Sequence, residues 1–200
     1  MKNSAFDLST QNNDFTSKIV VGLERISEVF RLLLWEHSKV IGLSPIQIQI
    51  LLFVDYHDES LCNVSYLAKE FNVSKPTISD AVKVLKLKKL IEKHTSTIDR
   101  RAYSILITTA GQKITLEAKN FTDPIYKLVN ALPQTKQSNL FQTISSLILQ
   151  LNKTGVLEVQ RMCYNCQFHS KKEGTHFCSL LGKTLLEADI RLDCPEFELK

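Results

Sequence analysis

The segment spanning residues 64–90 constrains the fold most, because its apolar period of three to four residues stops and restarts across a two-residue break. Val64, Leu67, Ala68 and Phe71 share one face of a short helix, Asn72-Val73 supplies a turn, and Ser74 is placed to cap a second helix carrying Ile78, Ala81, Val82 and Leu85. On a helix these four apolar positions fall on one side, while Pro76, Asp80 and Lys83 point the opposite way with Thr77 and Ser79 beside them. Two helices joined this tightly form a helix-turn-helix. Behind them come two β-prone runs, residues 90–93 and 103–108, joined by a polar connector that holds Asp99-Arg100-Arg101; they read as a hairpin wing with a basic tip. The expected fold class is mainly α with a small β-hairpin wing, a winged helix-turn-helix. With only 6 glycines and 5 prolines in 200 residues, the rest of the chain favours long helices over many short strands.

Long helices are indeed what the flanking segments predict. Ile19, Leu23, Ile26, Phe30, Leu33 and Leu34 recur at three- and four-residue steps, which gives a helix from residue 15 to about 40 with one apolar stripe. Ser44-Pro45-Ile46-Gln47 combines a capping serine, a proline at the first helical position and a capping-box glutamine, opening a helix to about residue 54 before a polar turn at 55–60. Thr109-Ala110-Gly111-Gln112 repeats the capping-box spacing and opens a helix expected to kink or break near Asp123-Pro124. After Pro133, Leu140, Ile144, Leu147, Ile148 and Leu151 line one face of a further helix that ends near Gly155. Residues 1–13 carry no apolar period and are expected to fray.

Charge gives the helix-turn-helix a partner. Residues 72–101 hold eight basic side chains (Lys75, Lys83, Lys86, Lys88, Lys89, Lys93, Arg100, Arg101) against three acidic ones, a surplus larger than the +4 of the entire chain. Cations concentrated on such a module are the electrostatic footprint of duplex DNA binding, because each neutralised phosphate releases counterions. The expected contact set is Ser74, Lys75, Pro76, Thr77, Ser79, Asp80, Lys83 and Lys86 on the second helix, in a major groove, with Arg100 and Arg101 in a minor groove. The same charge also suits a winged-helix module that binds protein, and charge reversal at Lys83, Lys86 and Arg101 separates the two readings.

The strings Leu43-Ser44-Pro45-Ile46-Gln47, Ser74-Lys75-Pro76-Thr77-Ile78-Ser79 and above all Asp99-Arg100-Arg101 followed by Ile107-Thr108-Thr109-Ala110-Gly111 resemble MarR-type winged-helix regulators over about residues 15–152. The resemblance implies a transcriptional regulator, a homodimer whose first and last helices intertwine, on a pseudo-palindromic operator; it leaves room for an unknown small-molecule effector between the DNA-binding and dimer parts, where Trp35 and His37 read equally well as ordinary core or surface residues. It divides the chain into a flexible N-terminus (1–14), an N-terminal dimerisation helix (15–43), the winged helix-turn-helix (44–110), C-terminal dimerisation helices (111–155) and a cysteine-rich extension (156–200). Two residues depart from the family pattern. Lys89 stands where family members often have glycine, so the preceding helix must end without the residue that tolerates a left-handed turn. Asp80 puts a negative charge on the DNA face, where it reads a base or pairs with Lys83.

The extension lies past the family's usual end and carries Cys163, Cys166, Cys178 and Cys194 in the spacing C-x2-C-x11-C-x15-C. Four thiols can close a tetrahedral zinc site or hold an iron–sulfur cluster, and a tail with little core of its own gains folding energy from such a staple. Zinc is the expected cofactor; an iron–sulfur cluster, favoured by Cys194-Pro195, would make the protein a redox or iron sensor, and free thiols are the third reading. His169 and His176 lie between these cysteines, where they could replace a ligand or hydrogen-bond to one, and are expected to face solvent. Cys62, isolated near the helix-turn-helix, is expected to be a small buried apolar side chain. The family's hydroperoxide sensors carry a cysteine near the N-terminus, and residues 1–61 contain none.

No basic-then-apolar leader opens the sequence and no apolar run approaches the roughly 18 residues of a membrane span, so the expected location is the cytoplasm, without a membrane partner. Gly-rich phosphate loops, nucleophile elbows and H-E-x-x-H helices are missing from the sequence, and four-sulfur sites are closed to substrate; a non-enzyme is expected.

Overall fold

The computed structural model describes residues 4–95 and 103–200, so the wing tip with Asp99, Arg100 and Arg101 lies outside the described residues. Helices dominate. Asp7 accepts from the Ser9 N–H and caps α1 (Leu8–Asn13), so this stretch is helical where the lack of apolar period suggested fraying. Local capping needs no buried face. Asp14 then caps α2 (Phe15–Ile41), which Gly42 stops in a left-handed conformation (φ 72°). α2 and α3 (Pro45–Tyr56) consequently meet at 89°. The Gln47 side chain accepts from the Ser44 N–H at 3.0 Å, the glutamine half of the expected capping box. α3 runs on to Tyr56, two residues into the stretch expected to be a polar turn, and a 3-10 turn at Glu59–Leu61 follows it.

α4 (Val64–Glu70) and α5 (Lys75–Leu87) form the helix-turn-helix, with Asn72 taking the left-handed turn position at φ 51°. β1 (Ile91–Thr95) and β2 (Tyr103–Ile107) pair antiparallel in the register Ile91↔Ile107 to Thr95↔Tyr103. α6 (Thr109–Ala118) follows, but its cap is Thr108, whose hydroxyl accepts from the Gly111 N–H at 3.1 Å; the capping-box reading from Thr109 was one residue late. The expected break appears as a 3-10 turn at Lys119–Thr122, after which Pro124 lies in the first turn of α7 (Asp123–Asn130). α8 (Gln134–Lys153) completes the helical part, and Gly155 (φ 76°) turns the chain out of it.

One apolar core unites these elements. Ile48, Ile50 and Leu51 of α3 pack with Leu67 of α4, Ile78, Val82 and Leu85 of α5, and Ile91 and Ile105 of the wing. All are essentially excluded from water, and each contributes about 1.5–3 kcal/mol of burial energy. The extension has a separate small sheet, β3 (His169–Lys172), β4 (Thr175–Cys178) and β5 (Lys183–Leu185), antiparallel in that order. Its apolar cluster is confined to Cys163, Leu185 and Ile190, with Phe141 of α8 against it. Among the described residues no single helix is long and apolar enough to cross a membrane.

Candidate nucleic-acid interface

The second helix of the helix-turn-helix buries Ile78, Ala81, Val82 and Leu85 and leaves its opposite face open. Ser74, Lys75, Pro76, Thr77, Asp80, Lys83 and Lys86 are exposed, and Ser79 is half-buried at the edge of that face. Ser74 holds the N-terminus of α5: its Oγ accepts from the Thr77 N–H at 3.3 Å and lies 2.8 Å from the Thr77 hydroxyl. Those two hydroxyls and the helix N-terminus form a donor-rich end of the kind that meets phosphates. Of the two roles open to Asp80, the isolated chain adopts the second: Lys83 Nζ donates to it at 2.8 Å, which raises the Lys83 pKa. Both side chains are largely exposed, so the pair is readily exchanged for a base or a phosphate.

The wing is built onto this helix by two unusual positions. Lys89 sits at φ 59°, the left-handed conformation that the family's glycine would take without a Cβ penalty. The Thr108 hydroxyl donates to the Lys89 carbonyl at 2.8 Å, and the Thr108 N–H donates to the Leu90 carbonyl at 3.1 Å. Gly111 then presses α6 against the start of the wing: a Cβ there would stand 2.1 Å from the Leu90 carbonyl oxygen. The Thr108-to-Gly111 string thus fixes the base of the hairpin. Farther along β1, Lys93 Nζ lies 3.8 Å from the centre of the Tyr103 ring across the strand pair, and His94 Nδ1 lies 2.7 Å from Glu59.

A polar cluster without any local signature in the sequence joins the extension to this module. Arg161, buried, donates to Glu70 at 2.7 Å, to the Tyr66 hydroxyl at 2.6 Å and through two nitrogens to Asp193 at 2.7 and 2.8 Å. His57 Nε2 lies 2.8 Å from the same Asp193, and its ring stacks on Phe53 at 3.8 Å. Burial works against the charged form of both Arg161 and Asp193. Their mutual hydrogen bonds more than offset it, so the arginine is raised and the aspartate lowered. The cluster draws on the end of α3, on α4 and on two segments of the extension. Its partners are 32 to 136 residues apart in sequence, and only the closeness of Arg161 and Asp193 to cysteines hints at a role.

Cys163, Cys166, Cys178 and Cys194 all line one cavity of about 30 Å³. All four are free thiols, and among the described residues no three His, Cys, Asp or Glu side chains stand close enough together to hold a metal ion. His169 and His176 do not face solvent as expected: both are half-buried and their rings stack, with Nε2 of His169 2.8 Å from Nδ1 of His176. β-strand pairing brings them together, and neither histidine's spacing in sequence announces it. Cys62 is buried in the main core as expected, and burial pushes its thiol up to about 11. Trp35 is largely exposed, and His37 Nε2 lies 2.8 Å from the Glu117 carbonyl.

Residues 41–102 match the MarR family model. No curated protein matches the chain. Among solved structures, the crystal structure of the S. aureus MepR–DNA complex is similar at 20% identity and a TM-score of 0.58, covering 66% of this chain and 97% of that chain. CouR from Rhodococcus jostii RHA1, solved bound to p-coumaroyl-CoA, is 19% identical with a TM-score of 0.56 over 68% of this chain and 94% of that one. The transcriptional regulator BldR from Sulfolobus solfataricus is 20% identical with a TM-score of 0.53 over 68% of this chain and 99% of that one. The winged-helix fold of MarR-type structures is therefore the fold of this chain. Nearly all of each relative finds a counterpart here, whereas about a third of this chain has none in them.

Proposed function

We propose that this protein is a MarR-type transcriptional regulator that binds duplex DNA as a homodimer on a pseudo-palindromic operator. The observation that carries this reading is the exposed, cation-bearing face of α5, set beside a wing on the fold that MepR displays in its DNA complex. α5 enters the major groove, where Thr77, Ser79 and Asp80 meet base edges while Ser74, Lys75, Lys83 and Lys86 meet phosphates; Pro76 sets the entry of the helix. Arg100 and Arg101 of the wing tip enter the adjacent minor groove.

The second copy is the occupant that the outer helices call for. Ile19, Leu23, Ile26 and Phe30 of α2 and Leu140, Leu147 and Leu151 of α8 expose two-fifths or more of their surface in the isolated chain, Phe30 a little less. They belong to the apolar stripes expected to make dimer contact, from which Leu34 departs by joining the main core, and a two-fold pair would bury them while spacing two recognition helices one helical turn apart. An effector would lie in a cavity of about 590 Å³ lined by Leu32, Trp35, Pro45 and Gln49, between α2 and α3.

Fluorescence anisotropy with duplex DNA over a salt series tests the reading. Affinity should fall steeply with salt, and Lys83→Ala and Lys86→Ala should each flatten the log–log slope by about 1. Neutralising Arg100 and Arg101 should weaken binding further. Salt-insensitive binding, or none, would remove the proposal.

A further inference from the structure

We infer that Cys163, Cys166, Cys178 and Cys194 bind one zinc ion as thiolates, and that this ion holds the extension in the shape that docks on the helix-turn-helix. The first reason is a shared cavity. The four cysteines come from a 3-10 turn, the residue that ends it, the end of β4 and the loop before the C-terminus, yet their side chains bound a single cavity of about 30 Å³. That space exceeds the roughly 10–15 Å³ that one small occupant requires. Without a disulfide among them, nothing covalent accounts for that shared lining.

The second reason is the surroundings of the sulfurs. The Arg191 N–H donates to Cys163 Sγ at 3.2 Å, and the Arg191 guanidinium donates to Cys194 Sγ at 3.5 Å. Donors aimed at sulfur suit thiolates, the form that a metal needs, while Cys194 Sγ also donates to Glu196 at 3.3 Å, a bond that an ion would replace. Cys163 and Cys166 form a tight turn, with the Cys166 N–H donating to the Cys163 carbonyl and the His169 N–H to the Cys166 carbonyl, both at 3.0 Å. His169 also lines the cavity, and its Nδ1 is buried without a hydrogen-bond partner while Nε2 is engaged by His176. A ring held at one nitrogen and orphaned at the other is oriented to face an ion or its ligands. The third reason is size: an apolar cluster of Cys163, Leu185 and Ile190 is too small to hold about forty residues, and Phe177, Leu180, Leu181 and Leu186 stay exposed.

No three of these side chains stand as close together as one ion requires, so binding would draw the sulfurs inward across the shared cavity. The movement acts on the docking cluster directly. The Cys163 N–H donates to the Arg191 carbonyl and the Cys194 N–H to the Arg161 carbonyl, both at 3.0 Å, which pairs the two segments bearing Arg161 and Asp193. Bridging Cys163 to Cys194 fixes that pair, and with it the grip on Tyr66 and Glu70 of α4 and His57 at the end of α3. DNA binding is not a premise of this inference.

The test purifies the full chain anaerobically and measures its metal and sulfide content, then replaces the metal with Co²⁺. About one zinc per chain and strong thiolate-to-cobalt absorption are expected. Cys178→Ser should lose both, while Cys62→Ala, the cysteine in the main core, should keep both and serves as the folded control. Chelation of the wild-type protein should speed tryptic cutting at Lys153 and Arg161 severalfold. Iron with acid-labile sulfide, a folded chain that takes up neither metal, or Co²⁺ uptake unchanged by Cys178→Ser would overturn the zinc assignment. Tryptic cutting indifferent to chelation would overturn the link to docking.

Discussion

The winged helix and the cysteine extension are held together in opposite ways. In the first, side chains from α3, α4, α5 and the wing interlock in a continuous apolar core, and polar groups mainly cap helices or fix turns. In the second, the apolar cluster is minimal, and order depends on a buried arginine shared by two carboxylates and a phenol, together with four thiols around one cavity. An apolar core tolerates change by repacking, while a polar cluster fails when one member is removed, because the others stay buried and unpaired. The winged helix is built to stand by itself, whereas the position of the extension is conditional.

Arg161→Ala attacks the conditional half and should have the largest effect. It strands Glu70 and the half-exposed Asp193 and should weaken docking of the extension by about 3 kcal/mol, read as lost hydrogen-exchange protection in residues 161–200 while the amides of α3 and α5 stay protected. Equal loss in both regions would show that they are one cooperative unit. Gly111→Ala strikes the other half: with only 2.1 Å to the Leu90 oxygen, the added methyl should cost about 1–3 kcal/mol in thermal unfolding and loosen the wing. Lys89→Gly should act in the stabilising direction by up to about 1 kcal/mol, since it relieves a left-handed lysine at some cost in unfolded-chain entropy.

A thiol measurement sharpens the contrast at the smallest scale. With its pKa raised to about 11, Cys62 carries only ~0.1% thiolate at pH 8 and should resist alkylation until the pH approaches that value or the core opens. Labelling of Cys62 at pH 8 in folded protein would contradict its place in the core.

Legibility followed the same divide. Local chemistry announced α2, α3, the two helices of the helix-turn-helix and the wing strands, because capping residues, apolar period and turn residues act within a few positions. The small errors were local too: α1 formed on the strength of the Asp7 cap alone, and Thr108 rather than Thr109 capped α6. The face of α5 was legible for the same reason, including the Asp80–Lys83 pair. The docking cluster was not, since nothing near Arg161 in sequence points to Tyr66 or Glu70, about ninety residues earlier. Nor was the stacking of His169 on His176, which depends on the register of β3 and β4.

Selection of bound sequences from a random duplex pool tests the central claim most directly. Enrichment of an inverted repeat with half-site centres about one helical turn apart is expected, retained as a steeply salt-dependent complex of two chains. A pool that emerges without enrichment, or an enriched site bound by one chain and indifferent to salt, would contradict it.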